Sequence, residues 1–165
     1  MNGKIWADYL LEVTKEGRTV WEWRTWEHLD PAEYPITFKE NVRSEWTHGN
    51  AVVELADGNL LIGFRNISTI VKIDRKSCGV VWKLGAPTVS GQHAPTPLPN
   101  GNILVFENGP HRWDQTFPFS RVIEVNPAAI PRGVSAEFLQ RSHLERATLA
   151  QRKYTYQRRT VRTVL

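Results

Sequence analysis

The 165-residue chain is 41% apolar, enough for a sizeable core, and six of its seven tryptophans fall before residue 83. Its net charge of +4 is unevenly placed: from Arg132 onward eight Lys or Arg face two acids, which leaves residues 1–131 at −2, so the basic character that would favour nucleic acid or an anionic membrane belongs to the tail alone. The lone Cys78 excludes an internal disulfide and a multi-cysteine metal cluster, and no apolar run reaches the roughly 18 residues of a membrane span. The start Met-Asn-Gly-Lys-Ile-Trp lacks the apolar stretch of a signal peptide, which bears on export only if Met1 is the true start.

In chain order, Leu11–Trp21 predicts a hairpin, followed by a longer connection from Trp23 to Glu45. His48–Gly63 predicts a second hairpin about Asp57-Gly58, and Ile70–Trp82 a third that repeats the pattern of Leu11–Trp21. His93–Phe106 predicts a fourth about Asn100-Gly101, and Arg121–Pro127 begins the outer unit a third time. Asp or Asn before Gly supplies two residues of positive φ, so type I′ turns are expected. His48 and His93 head equivalent units 45 residues apart, within the length of one four-stranded propeller blade. Short strands at this spacing predict an all-β fold, a partial β-propeller of about two and a half to three blades over residues 1–130. Its unpaired blade edge predicts self-association and poor solubility in isolation.

Residues 131–165 form a basic, weakly helical tail that breaks the repeat. After Pro127 the chain reads Ala-Ala-Ile-Pro-Arg-Gly-Val-Ser where a turn, a β-branched run and Trp are due. One back-translation of residues 151–165, shifted by a base, reads Asn-Gly-Asn-Thr-Leu-Ile-Asn-Glu-Gly-Pro-Tyr-Gly-Arg-Phe, close to the Asn100–Glu107 pattern. The chain is therefore expected to leave its proper frame between Pro127 and Phe138. The other reading is a genuine basic C-terminal helix.

Trp46-Thr47-His48-Gly49-Asn50, Ile62-Gly63-Phe64-Arg65-Asn66, Lys72-Ile73-Asp74-Arg75 with Val81-Trp82, Gln92-His93, Leu98-Pro99-Asn100-Gly101-Asn102, Phe106-Glu107-Asn108-Gly109 and Ser120-Arg121 form an ordered set. Over residues 5–127 this set resembles the arylsulfotransferase family. The resemblance implies a six-bladed propeller, periplasmic or secreted, that moves a sulfuryl group from a phenolic sulfate ester to a phenol acceptor through a sulfated histidine, without a nucleotide donor. It implies no cofactor, no metal, and no nucleic-acid or membrane partner. By the same resemblance His48 and His93 are catalytic and Arg65 and Arg112 bind substrate, Arg112 at the sulfuryl oxygens. The family's nucleophilic histidine lies in a later blade and has no match here, so this piece alone is expected to be inactive. Cys78 stands where the family has a turn glycine, which predicts a mildly strained turn.

The chemistry asks for these residue types in its own right. A neutral imidazole is a competent nucleophile at sulfur, Arg or His⁺ answers the charge on the non-bridging oxygens, and a positioned acid helps the phenolate leave. Each residue also has a plainer reading: hydrogen-bonded structural histidines, an arginine paired with a carboxylate, a solvated loop arginine at Arg112, an incidental His111. Spacings of 45 and 18 between the histidines fit no local metal-ligand motif. Two other functions stand beside the enzyme: a non-catalytic propeller that binds or scaffolds, and a quinone-cofactor propeller, which the Asp74–Trp82 turn supports but the paired histidines do not.

Overall fold

The computed structural model describes residues 5–37, 44–110 and 117–130, together with the backbone of 163 and 164. Among the described residues ten strands and one short α-helix follow one another: β1 (Tyr9–Val13), β2 (Thr19–Arg24), α1 (Thr25–His28), β3 (Gly49–Glu54), β4 (Leu60–Phe64), β5 (Thr69–Ile73), β6 (Val80–Leu84), β7 (Gln92–Pro97), β8 (Ile103–Glu107), β9 (Arg121–Val125) and β10 (Thr163–Val164). They make three sheets in the orders β10-β1-β2, β3-β4-β5-β6 and β7-β8-β9. Every pairing is antiparallel except β10 with β1. The fold is all-β and, among the described residues, closes no barrel, consistent with a partial propeller. Of the span in which the frame break is expected only Pro127–Ile130 are described, and of the tail only the backbone of 163 and 164, which is a strand; the rest of both lies outside the described residues.

The sequence repeat is also a register repeat. Leu60–Phe64 pair with Ile73–Thr69 in the way Ile103–Glu107 pair with Val125–Arg121. Trp21 lies opposite Glu12 and Trp82 opposite Lys72, and a bulge follows each of these pairs at Val13 and Ile73. The Lys72–Asp57 ion pair, 2.6 Å, crosses the exposed end of the second sheet.

The hairpin turns differ from expectation. Gly58 donates to Leu55 O and Leu55 to Asn59 O, and Gly101 and Leu98 repeat this with Leu98 O and Asn102 O. In both only the glycine has positive φ, 77° at Gly58 and 84° at Gly101. These are three-residue loops ending in a left-handed glycine and not type I′ turns. Pro99 fixes a negative φ at the second turn position, and the side chains of Asp57 and Asn100 accept from the amides of Asn59 and Asn102, locking the right-handed form.

The middle sheet is buried on both faces. Ile62, Phe64, Val71 and Ile73 pack with Leu10 and Trp23 of the first sheet and with Leu29 and Trp46, while Leu61, Ile70 and Leu84 pack with Ile103, Val105 and Val125 of the third. That explains the near-continuous apolar runs of β4 and β5. Each such side chain contributes about 1.5–3 kcal/mol on burial. Trp21 and Trp23 join the first sheet to the second: the Trp21 indole donates to Arg75 O at 3.1 Å, and that of Trp23 to Cys78 O at 3.0 Å.

Candidate functional site

The motif at residues 46–50 is held from both sides. Trp46 is buried and its indole donates to Tyr34 O at 2.7 Å. Asp8, in the first sheet's segment, accepts from the Thr47 hydroxyl at 2.5 Å and the Gly49 amide at 2.7 Å, flanking His48. A Cβ on Gly49 would come within 3.2 Å of the Asp8 carboxyl carbon, so the close approach calls for glycine. His48 itself has φ 53°, the left-handed region that a non-glycine residue adopts only when its surroundings fix it. The carbonyls of Thr47 and His48 accept from Asn66 and Arg65, which ties the motif to the end of β4. The His48 ring is half-exposed, with Nδ1 2.9 Å from Glu45 Oε1.

His93 lies in β7 between two left-handed residues, Gly91 (φ 60°) and Ala94 (φ 48°), at a bulge between His93 and Thr96. Its neighbour Gln92 is fully buried, and the Gln92 amide donates to Phe64 O at 3.0 Å and Thr69 O at 2.8 Å. The Asn50 amide reaches Gln92 O at 2.7 Å, linking β3 to β7. His93 Nδ1 is 3.1 Å from Gly91 O and 2.7 Å from Asn108 Nδ2, and that Asn108 amide is 2.7 Å from the same carbonyl. With hydrogen on Nδ1 the ring donates to Gly91; with hydrogen on Nε2 it accepts from Asn108. Either tautomer is held. Burial, with the positive charges of Arg65 and His48, holds the His93 pKa below the ordinary histidine value, against an opposing hydrogen bond to Gly91.

The Arg65 amide donates to His48 O and the Asn50 side chain to Gln92 O, so His48, Arg65 and His93 lie at the adjoining ends of β3, β4 and β7, where the charges of Arg65 and His48 act on His93. Arg65 Nη1 also donates to Asn66 Oδ1 at 3.2 Å, and the Asn66 amide to Glu45 O at 2.9 Å, so cation, amide and the carbonyl of the His48 partner form one chain. Two imidazoles and a guanidinium so placed can take an oxyanion and move a proton. The family profile for arylsulfotransferase (ASST) matches residues 2–90, more than half the chain. The chain belongs to the arylsulfotransferase family. The matched stretch includes His48 and Arg65 and stops short of His93. No curated protein matches the chain.

In this arylsulfotransferase-family chain Arg112 and His111 fall outside the described residues. Asp8, Gln92 and Asn108 hold the segments that carry the histidines; in the sequence Gln92 and Asn108 are marked only by their places in Gln92-His93 and Phe106-Glu107-Asn108-Gly109, and Asp8 by nothing. Among the described residues no helix is long and apolar enough to cross a membrane.

Proposed function

We propose that this chain supplies sulfuryl-binding and proton-transferring residues of an arylsulfotransferase site. The observation that carries the reading is the convergence of His48, Arg65 and His93 in a chain of that family. Arg65 and His48 bind the non-bridging oxygens of an aryl sulfate ester, and Arg112 joins them. His93, kept neutral, takes the acceptor phenol's proton or returns one to the leaving phenolate. Sulfur passes from the donor oxygen to a histidine of a later blade and then to the acceptor oxygen, so turnover belongs to the assembled propeller and binding to this piece. An extracytoplasmic setting fits the family.

Calorimetric titration of 4-nitrophenyl sulfate into the chain tests this. Saturable binding in the micromolar to millimolar range, lost in Arg65→Ala and His93→Ala, is expected. No saturable heat with the folded chain would sink the reading.

A further inference from the structure

The His48 ring has one hydrogen-bond partner among the described residues, the Glu45 carboxylate, with Oε1 2.9 Å from Nδ1. The backbone is fixed at both ends of that pair. The Trp6 amide donates to Ser44 O at 2.6 Å and the Trp46 amide to Trp6 O at 2.8 Å, so Glu45 sits in a parallel bridge with Trp6. The Asn66 side-chain amide holds Glu45 O at 2.9 Å. His48 is set at φ 53° with Asp8 bonded on both flanks, and its carbonyl accepts from the Arg65 amide at 3.0 Å. Exposed ion pairs are weak largely because two long side chains must be ordered to make them; here one of the two is a short imidazole on a fixed backbone. An ionised carboxylate only accepts, so the contact requires hydrogen on Nδ1 of the imidazole. Neutral His48 then carries its lone pair on Nε2, and a second proton there makes an imidazolium whose charge Glu45 offsets. His93 is placed differently. Its Nδ1 meets the Asn108 amide and the Gly91 carbonyl, and the charges of Arg65 and His48 that act on it are positive.

We propose that Glu45 is a positioning residue of this site: it holds hydrogen on His48 Nδ1 and offsets the imidazolium charge, so that His48 meets an anionic sulfate ester as a cation through Nε2–H. The proposal rests on the sulfuryl-binding function and deepens it by dividing the work between the two imidazoles. The ring beside a carboxylate binds the anion, and the ring among cations stays neutral and moves protons. The charged and titratable groups around His48 are Glu45, Asp8, Arg65 and His93. Asp8 is engaged with the Thr47 hydroxyl and the Gly49 amide, which leaves Glu45 as the carboxylate in contact with the ring. An aryl sulfate monoester stays a monoanion at all ordinary pH and takes no proton itself. Binding therefore draws a proton from solvent onto His48 Nε2 wherever that ring is neutral in the free chain, and the new positive charge lies between Glu45 and the ester.

Long-range proton–nitrogen spectra of the ligand-free full chain read the tautomers at about pH 8, above the ordinary histidine value of about 6.5, with His48→Gln to assign the ring. The Nδ1–H form is expected for His48. Glu45→Gln should retain it, because the amide oxygen still accepts, and Glu45→Ala should replace it by the Nε2–H form. Both variants keep the main-chain contacts that tie Glu45 into the fold. Calorimetric titration of 4-nitrophenyl sulfate near neutral pH, in two buffers of different ionisation enthalpy, then reads affinity and proton uptake together. Uptake is expected in the native chain, with both variants binding about threefold more weakly and taking up fewer protons. Nε2–H in the native chain, or a tautomer that Glu45→Ala does not move, overturns the proposal whatever the ligand does. Unchanged affinity and uptake in both variants, against a native chain that binds, overturns the positioning by Glu45 alone. No saturable binding by the native chain overturns the sulfuryl-binding function and the proposal with it, a failure that the tautomer spectra distinguish from a missing Glu45–His48 contact.

Discussion

Replacing Gln92 by Leu keeps the volume of a fully buried side chain but removes both of its donated hydrogen bonds, to Phe64 O and Thr69 O. Those bonds hold the β4–β5 turn, which carries Arg65 and Asn66, against the strand that carries His93. Each lost bond costs about 1 kcal/mol net, and more where the buried carbonyl is left without another donor. The expected loss is therefore about 2–3 kcal/mol. With a urea slope of roughly 1–3 kcal/mol per molar for a small protein, the unfolding midpoint falls by on the order of 1 M. Circular dichroism at low micromolar protein reads the midpoint and slope together. A midpoint unchanged within about 0.5 kcal/mol would refute the reasoning, because the two carbonyls would then be satisfied without Gln92.

Asp8→Ala frees the Thr47 hydroxyl and the Gly49 amide around His48; a loss of about 2 kcal/mol is expected for bonds to a charged acceptor, with weaker 4-nitrophenyl sulfate binding by calorimetry. Folding stability should fall in mild acid: because the His93 pKa is lowered in the fold, the unfolded chain binds the extra proton first. The contribution is full above the ordinary value of about 6.5, declines as pH drops toward the lowered value and is constant below it, and His93→Gln should flatten this limb; an unaltered pH profile would count against it. Cys78 adopts φ 59°, so Cys78→Gly should raise stability by about 0.5 kcal/mol after glycine's greater unfolded-state entropy is subtracted, which thermal melts can show.

Much of this fold is legible because it repeats. The Trp21 and Trp82 hairpins share a register and a bulge, and the two histidine-headed units share a turn, so one pattern read twice locates eight strands. The turn type was not legible from the dipeptides Asp57-Gly58 and Asn100-Gly101 alone, because Pro99 and the Asp57 and Asn100 side chains decide it. The strain at Cys78 was, since one side chain stood in a glycine position. For the site, the paired strand heads point to His48 and His93, but Asp8 lies about 40 residues from His48 and meets it only through sheet packing. Gln92 and Asn108 act through main-chain carbonyls, which leave no mark in a sequence.

The central claim is that His48 and His93 line one oxyanion site. Nuclear magnetic resonance of the histidine ring protons during titration with phenyl sulfate tests it most directly. Both resonance sets should move along one saturation curve and lose that response in Arg65→Ala. Movement of neither, or saturation confined to histidines elsewhere in the chain, would contradict the account.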